Sequence, residues 1–238
     1  MNISFAGNVV LVAGGTGGLG RAVSLAFLQE GAQVIVTYRK EEEFNSLKIA
    51  AAPASLLEGH AVDVTDEHAV TALVAAVVAT HGRLDAVVNT IGGYAGGIKV
   101  WDLETRLFDT MLALNLRAGF VLARAAMPAM LKQGHGAFVN VAAKAAIDHA
   151  AGAAAYAASK AAAVALMDSL AADAKGTGVR VNTILPSIID TPANRTAMPG
   201  SDFAAWPKPE DIANVILFLC SDAAKTIHGA AVPVFGNS

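Results

Sequence analysis

The stretch Gly14-Gly15-Thr16-Gly17-Gly18-Leu19-Gly20 lies between a short apolar run, residues 8–13, and a segment with helical spacing, residues 18–30. A tight turn from a strand into a helix favours residues that tolerate a positive φ angle, which glycine does freely. A pyrophosphate at such a turn must approach the backbone amides and the positive end of the helix, and a Cβ atom would block it. The stretch therefore predicts a dinucleotide-binding loop, with a flexible glycine-rich turn as the alternative. The glycines assigned to this task are Gly14, Gly18 and Gly20.

Strand-like and helix-like segments alternate from one end of the chain to the other. The β-rich apolar segments are residues 8–13, 33–38, 60–64, 84–89, 137–142, 179–185 and 230–235. The segments with helical periodicity are residues 18–30, 41–50, 66–81, 103–133, 153–175 and 209–220, with a break or bend expected at Pro128. Apolar strands separated by helices of this length form parallel sheets that are covered on both faces. The pattern predicts a doubly wound, Rossmann-like α/β fold, in a single domain over residues 1–238.

The composition excludes several classes of protein. Hydrophobic residues make up 54% of the 238 residues and charged residues 16%, which excludes intrinsic disorder and allows a large core. The net charge of -3 gives no electrostatic reason to expect nucleic-acid binding. The single cysteine, Cys220, cannot form a disulfide within the chain, and no apolar run reaches the ~20 residues of a membrane helix. We therefore expect a cytoplasmic protein with no nucleic-acid or membrane partner.

The end of the second predicted strand bears on the choice of cofactor. An acidic residue there would bind the ribose hydroxyls of NAD, whereas this chain has Tyr38-Arg39-Lys40. A guanidinium group can hold a phosphate through a fork of donors. Tyr38 and Arg39 therefore predict that NADPH is preferred over NADH. The alternative is a solvated basic turn that faces the acidic residues 41–43.

The segment Tyr156-Ala-Ala-Ser-Lys160 places a phenol and an ammonium group four residues apart on one helix, so that both can face the same space. A free phenol titrates near ~10, and an adjacent cation favours the phenolate. We therefore expect the pKa of Tyr156 to be lowered, so that it can pass a proton to a substrate while hydride arrives from a nicotinamide. The histidines show no spacing typical of a metal site, and we expect no metal.

The spacing Gly-x-x-x-Gly-x-Gly, followed at a distance by Tyr-x-x-x-Lys, resembles the short-chain dehydrogenase/reductase family. The resemblance implies an oxidoreductase in which Tyr156, Lys160 and the helix residue Asn115 are catalytic, and in which Lys160 also holds the nicotinamide ribose. Asp63 resembles the residue that binds the adenine, and Asn89 matches part of the family's Asn-Asn-Ala-Gly stretch. The loop after the sixth strand, 186–191, resembles the Pro-Gly stretch that touches the nicotinamide, with Ser187 in place of the glycine. The other residues that the resemblance places around the cofactor are Thr16, Leu19, Val64, Ile189 and Thr191.

One position departs from the family pattern. The family normally has a serine thirteen positions before the tyrosine, where its hydroxyl steadies the substrate oxygen, and here that position is Ala143. Loss of one such donor typically costs roughly 10²–10³ in rate. Either the substrate does not need this donor, or the chain is a weak or silent NAD(P)-binding sensor or scaffold.

A narrower resemblance favours a substrate that does not need the donor. The dihydropteridine reductase branch of the family also lacks the serine, and residues 91–97, 143–148 and 190–206 are similar to its sequence. This implies hydride transfer to a quinonoid dihydropteridine, and an ordinary ketone or aldehyde remains the alternative. That branch bears an acid after the second strand and lacks the helix asparagine, in contrast to this chain. The residues expected to line the substrate pocket are Ala143, Tyr94, His149 and Trp206; for Tyr94 and His149 the alternatives are ordinary packing and a solvated loop.

The two long alanine-rich helical segments, residues 103–133 and 153–175, offer faces for close packing. In the family such helices form a four-helix bundle between subunits. The resemblance therefore implies a homodimer or a homotetramer.

Overall fold

A computed structural model describes residues 3–51 and 53–238 of the chain. They form a seven-stranded parallel sheet in the order β3-β2-β1-β4-β5-β6-β7. The strands are β1 (Val9–Ala13), β2 (Gln33–Tyr38), β3 (Leu57–Ala61), β4 (Ala86–Asn89), β5 (Gly136–Val141), β6 (Val179–Pro186) and β7 (Ala231–Val234). The helices are α1 (Gly18–Gln29), α2 (Glu41–Ala50), α3 (Glu67–His81), α4 (Thr105–Leu112), α5 (Ala118–Gln133), α6 (Ala154–Asp173), α7 (Pro192–Ala197) and α8 (Pro209–Cys220).

Two apolar cores, one on each face of the sheet, hold the helices in place. On one face α3, α5 and α6 pack on alternate strand residues such as Leu11 and Phe138, which are fully buried. On the other face α1 and α8 pack on the intervening residues such as Val10 and Val36. Because central strands such as β1 and β2 carry apolar residues on both faces, each face of the sheet needs a covering layer of helices. The predicted doubly wound, single-domain fold is thus confirmed.

The third strand lies earlier in the chain than the sequence pattern predicts. We expected residues 60–64, whereas the strand is Leu57–Ala61, in register with β2 from Val34 to Tyr38. This strand is at the edge of the sheet and contains Glu58 and His60, so apolar character does not mark it. Asp63 consequently belongs to the turn that follows the strand.

The segment predicted as one long helix is two helices joined by an irregular turn. Pro128 does not mark this irregular turn, because it lies inside α5. It is exposed, so water can reach the carbonyl group that its ring leaves without a hydrogen bond. A single π-helical turn, Ala113–Arg117, separates α4 from α5 instead, and it contains Asn115. Such turns insert an extra residue and re-aim side chains, and they are frequent at functional sites. Among the described helices, none is long and apolar enough to cross a bilayer.

Candidate active site

The glycine-rich loop forms the turn between β1 and α1 at the carboxyl edge of the sheet. Gly14 has a φ angle of +75°, which L-residues with a side chain rarely adopt. A Cβ atom on Gly20 would collide with the carbonyl oxygen of Gly14. A Cβ on Gly18 would lie 3.0 Å from the Cγ2 methyl of Thr191, which therefore overhangs the loop. Glycines at these positions therefore allow a close turn that side chains would obstruct.

The amino end of α1 fits an anionic group. Its N-cap residue is Gly17, so no side chain accepts a hydrogen bond from the first-turn amides, and the first turn has no acidic residue. The positive end of the helix dipole adds to the attraction for a phosphate. Leu19 is buried beneath the loop, whereas the hydroxyl of Thr16 donates a hydrogen bond to Glu43 Oε2 at 3.2 Å. The backbone thus offers the cradle that a pyrophosphate needs.

The basic residues after β2 differ in their availability. Lys40 forms an ion pair with Glu43 at 3.3 Å, as the solvated-turn alternative expects. Arg39 is exposed, and it takes part in none of the ion pairs found in the described residues. The ring of Tyr38 stacks on Phe44, with ring centroids 4.8 Å apart. Arg39 is therefore the cation that remains free for a ligand.

Asp63 and Val64 follow β3 at the same edge of the sheet. Asp63 Oδ1 accepts hydrogen bonds from the amide and the hydroxyl of Thr65, at 2.9 and 2.8 Å. These bonds, with the nearby Arg39, hold the pKa of Asp63 below its ordinary value. Val64 is buried in the core. Asp63 is an exposed carboxylate beside Arg39, fixed in orientation by the turn.

Tyr156 and Lys160 lie one turn apart in α6, with the lysine Nζ atom 6.0 Å from the centre of the tyrosine ring. The lysine is buried and its ammonium group donates a hydrogen bond to the carbonyl oxygen of Val141, at 3.0 Å. Burial of the cation lowers the pKa of Lys160 to about 8. The pair faces the end of β5, at the same edge as the glycine loop.

The expected lowering of the tyrosine pKa is wrong for this structure. Burial, together with the neighbouring phenol of Tyr94, raises the pKa of Tyr156 to about 12. The lysine does not offset this effect, because its ammonium group points at Val141 rather than at the phenol. Tyr156 is therefore a protonated phenol at neutral pH.

Asn115 is buried in the π-helical turn and binds the loop after β4 with both ends of its amide. Its Oδ1 atom accepts from the amide of Gly93 at 2.9 Å, and its Nδ2 atom donates to the carbonyl of Gly93 at 3.0 Å. The same Nδ2 atom donates to Ser159 Oγ at 3.0 Å, and Ser159 in turn donates to the carbonyl of Tyr156. Asn115 thus links the loop after β4 to the helix that bears Tyr156.

Ser159 and Gly92 were not among the residues predicted for the site. Ser159 is fully buried in an alanine-rich helix, and a polar residue next to Lys160 was the available signal. A Cβ atom on Gly92 would lie 3.0 Å from both Asn115 Oδ1 and Lys160 Nζ, so a glycine keeps space for both groups. No feature of the sequence alone marks Gly92 among its neighbours.

Asn89 lies beneath this loop rather than at its surface. It is buried, its Nδ2 atom donates to Asn140 Oδ1 at 2.8 Å, and its Oδ1 atom accepts from the amide of Ile91 at 3.2 Å. Both ends of the side chain are therefore occupied by protein groups. The geometry makes Asn89 a support for the loop after β4.

The residues expected around the substrate differ in their exposure. Ala143 is buried at the end of β5, whereas the ring of Tyr94 is 69% exposed and meets Tyr156 edge to face, with centroids 5.0 Å apart. His149 lies on an exposed loop, where Nε2 is 3.4 Å from the carbonyl of Ala146. Trp206 is 7% exposed and packs on Phe203. Of these four residues, Tyr94 contacts the Tyr156 ring directly.

The loop after β6 contains the short helix α7, which the sequence pattern did not predict. Thr191 caps this helix by accepting from the amide of Asn194, and the Asn194 side chain donates to the carbonyl of Ile189 at 2.8 Å. Ile189 itself packs against the core on the α1 side of the sheet. The hydroxyl of Ser187 donates to the carbonyl of Phe235 at 2.7 Å, so it is turned toward the last residues of the chain. Ile189 and Thr191 are thus held in place beside the glycine loop.

Comparison with known proteins supplies the family. A family model described as enoyl-(acyl carrier protein) reductase matches residues 13–236. The 3-oxoacyl-[acyl-carrier-protein] reductase FabG of Thermotoga maritima is 33% identical, over 97% of this chain and 97% of its own length.

Solved structures agree with the sequence matches. A short-chain type dehydrogenase/reductase from Mycobacterium ulcerans superposes with a TM-score of 0.93 at 27% identity, over 99% of this chain and 90% of that one. The structure described as ElxO with NADP bound superposes with a TM-score of 0.89 at 25% identity, over 96% of this chain and 97% of that one. The matches span the glycine loop, the Tyr156–Lys160 pair and the last strand together. The chain therefore belongs to the short-chain dehydrogenase/reductase family of oxidoreductases.

Proposed function

We propose that the protein is an NADPH-dependent reductase that transfers hydride to a carbonyl or quinonoid compound. The observation that supports this most strongly is the buried lysine one helical turn from a protonated tyrosine, at the sheet edge where the glycine loop lies. A buried ammonium group is costly, and burial lowers the pKa of Lys160 to about 8. Buried charged groups with strongly shifted pKa values are typical of functional sites.

Different residues of the chain would hold different parts of the cofactor. Glycines at positions 14, 18 and 20 let the pyrophosphate reach the amides of the loop and of α1, beside Thr16 and Leu19. Asp63 and Val64 would hold the adenine, and Ile189 and Thr191 the nicotinamide, with Asn89 supporting the loop after β4. Lys160 would hold the nicotinamide ribose. The bound nicotinamide supplies the hydride.

Proton transfer is the task of Tyr156. With a pKa of about 12, the phenol carries its proton throughout the neutral range and can donate it to the substrate oxygen. The ammonium group of Lys160 lies 6.0 Å from the centre of the ring and is bonded to the Val141 carbonyl, so it would have to turn toward the phenol to stabilise the phenolate that remains. Asn115 holds the loop after β4 next to the helix that bears Tyr156, through its hydrogen bonds to Gly93 and Ser159. The tyrosine is thus the general acid, and Lys160 and Asn115 support it.

Replacing Arg39 by aspartate is expected to shift the ratio of kcat/KM for NADPH over NADH by roughly 10- to 100-fold toward NADH, the loss of one charge-assisted phosphate contact. Arg39 is an exposed cation outside the ion pairs of the described residues, and a carboxylate there would repel a 2′-phosphate. Steady-state rates with each cofactor measure the ratio. Lys48→Asp, with the same charge change on the exposed side of α2, serves as the control. An unchanged ratio for Arg39→Asp would refute the phosphate contact.

A panel of substrates tests the proposed function. NADPH oxidation is measured with ketones, aldehydes and quinonoid dihydropteridine; turnover of any one supports the reductase. The dihydropteridine is included because residues 190–206 resemble the dihydropteridine reductase branch. Ala143 favours the second candidate, a silent NAD(P)-binding sensor or scaffold. Tight NADPH binding with no oxidation of any compound in the panel would favour that candidate and reject the reductase.

A homodimer or homotetramer is the proposed assembly, through the face of α4 and α5. An open groove of about 400 Å³ lies there, with apolar lining from Leu112, Ala113, Leu116 and Phe120 between Asp109 and Arg117, and Phe120 is 43% exposed. Exposed apolar patches of this kind are typical of interfaces.

Replacing Phe120 by aspartate is therefore expected to convert the oligomer to a smaller species, because a carboxylate cannot be buried there unpaired. Light scattering after size-exclusion chromatography gives the mass. Ile49→Asp, on the 88% exposed Ile49 of α2, is the matched control and is expected to keep the wild-type mass. A monomeric wild-type protein would contradict the proposed assembly.

A further inference from the structure

Three loops at the carboxyl edge of the sheet each expose a large apolar side chain. Tyr94 follows β4, Ile147 follows β5 and Ile188 follows β6, and they are 69%, 59% and 41% exposed. Loops after adjacent parallel strands meet at one edge. The first loop is joined to the segment before α6 by a hydrogen bond from Ile98 to Gly152, at 3.2 Å. Tyr94 contacts the Tyr156 ring, and Ile147 and Ile188 are exposed on the loops that follow the next two strands at the same edge of the sheet.

The position of the Tyr94 ring is set by its own loop. A Cβ atom on Gly96 would collide with the Tyr94 hydroxyl group, so the ring lies directly against the backbone of Gly96. Gly152, with a φ angle of +78°, packs against the backbone of Gly97. The edge-to-face contact with Tyr156 restrains the ring further. A ring held in this way presents an aromatic face at a reduced cost in side-chain entropy.

These loops offer no free guanidinium fork for an anion. The segments 90–104, 143–153 and 187–206 contain one arginine, Arg195, and its Nε and Nη2 atoms donate to the two carboxylate oxygens of Asp190. Lys144 lies 3.7 Å from Asp148 and over the ring of Phe235. Lys99 and His149 are exposed loop residues. A substrate that carries a phosphate or a carboxylate would find no fork of donors here.

The alanine at position 143 restricts the chemistry of the substrate. Without a hydroxyl donor at this position, the tyrosine alone neutralises the charge that develops on the substrate oxygen. A carbonyl conjugated with an electron-poor ring spreads that charge over the ring and depends less on a second donor. The site thus combines an aromatic wall, apolar neighbours and a single proton donor.

We infer that the substrate is a flat, uncharged, conjugated ring carbonyl, and that Tyr94 selects it by contact with the ring face. This rests on the proposed reductase function. In the step, hydride from NADPH forms a C–H bond at the carbonyl carbon while the C=O π bond opens. The oxygen takes the proton of Tyr156, and NADPH becomes NADP⁺. Tyr94 is then a specificity-determining residue rather than an acid or base.

The test compares isatin, a neutral flat ring carbonyl, with isatin-5-sulfonate, its charged analogue, and with 2-octanone, an open-chain ketone. Wild-type kcat/KM is expected to be at least roughly 10-fold higher for isatin than for either of the others, as an aromatic contact and an unpaired charge each account for about that factor. Tyr94→Leu should lower the isatin-to-octanone ratio by roughly 10-fold, mainly through KM, and Tyr94→Phe should retain it.

The outcomes separate the two proposals. Reduction of 2-octanone or of the sulfonate at least as efficiently as isatin overturns the substrate class and leaves the reductase function standing. A ratio unchanged in Tyr94→Leu overturns the assignment of Tyr94. No NADPH oxidation with any of the three compounds overturns the substrate class, and the panel of ketones, aldehydes and quinonoid dihydropteridine then decides whether the reductase function stands.

Discussion

Replacing Tyr156 by phenylalanine is expected to lower the reductive kcat by roughly 10²–10⁴-fold, the range that a positioned general acid supplies. The variant keeps the ring and its edge-to-face contact with Tyr94 but has no proton to give. The residual rate would come from hydride transfer with water as the proton source. Stopped-flow oxidation of NADPH at saturating substrate measures the loss.

The same variant must still bind its cofactor for this result to be informative. The phenol contacts neither the glycine loop nor Arg39, so the NADPH dissociation constant, from fluorescence titration, should stay close to that of the wild type. A kcat within threefold of the wild type would remove Tyr156 from the mechanism. A lost cofactor affinity would point to a structural role instead.

The second large effect concerns Lys160, for which function and stability are expected to oppose each other. Replacing it by methionine removes the cation and should abolish turnover. The free energy of unfolding of the protein without ligand should nevertheless rise by about 2 kcal/mol at pH 7, because a pKa lowered from 10.5 to about 8 marks a buried charge that costs stability. The lost hydrogen bond to Val141 reduces the gain. Urea unfolding of both proteins gives the difference.

The gain should depend on pH in a defined direction. Between pH 8 and 10.5 the unfolded wild-type chain holds a proton on this lysine that the folded protein has lost. The wild type therefore becomes more stable as the pH rises through this interval, and the advantage of the methionine variant shrinks. A variant that is less stable than the wild type at pH 7 would contradict the account of a costly buried ammonium group.

Much of the fold could be predicted from local patterns, and the differences have physical causes. Strands such as β1 and β4 are apolar on both faces, so composition alone reveals them. The edge strand β3 has polar residues because one of its sides lacks a neighbouring strand, and its position was misjudged. The π-helical turn at Asn115 was missed because it depends on the contact between Asn115 and Gly93, which are distant in sequence.

The site was predictable where chemistry and spacing coincide within one element. Tyr156 and Lys160 share a helix, and four residues of spacing are enough to bring them together. The direction in which the tyrosine pKa is shifted was not predictable, because it depends on burial and on Tyr94, which lies in the loop after β4. The space that Gly92 leaves for Lys160 likewise exists only in three dimensions.

The most direct test of the central claim follows the hydrogen itself. The protein is given NADPH labelled with deuterium at C4 on the face that is transferred, together with isatin or the best ketone or aldehyde of the panel, and the product is examined by mass spectrometry. Our account predicts one deuterium bound to the former carbonyl carbon in each product molecule, at wild-type rates and at strongly reduced rates in Tyr156→Phe. Product without deuterium from either labelled face of the cofactor would contradict it.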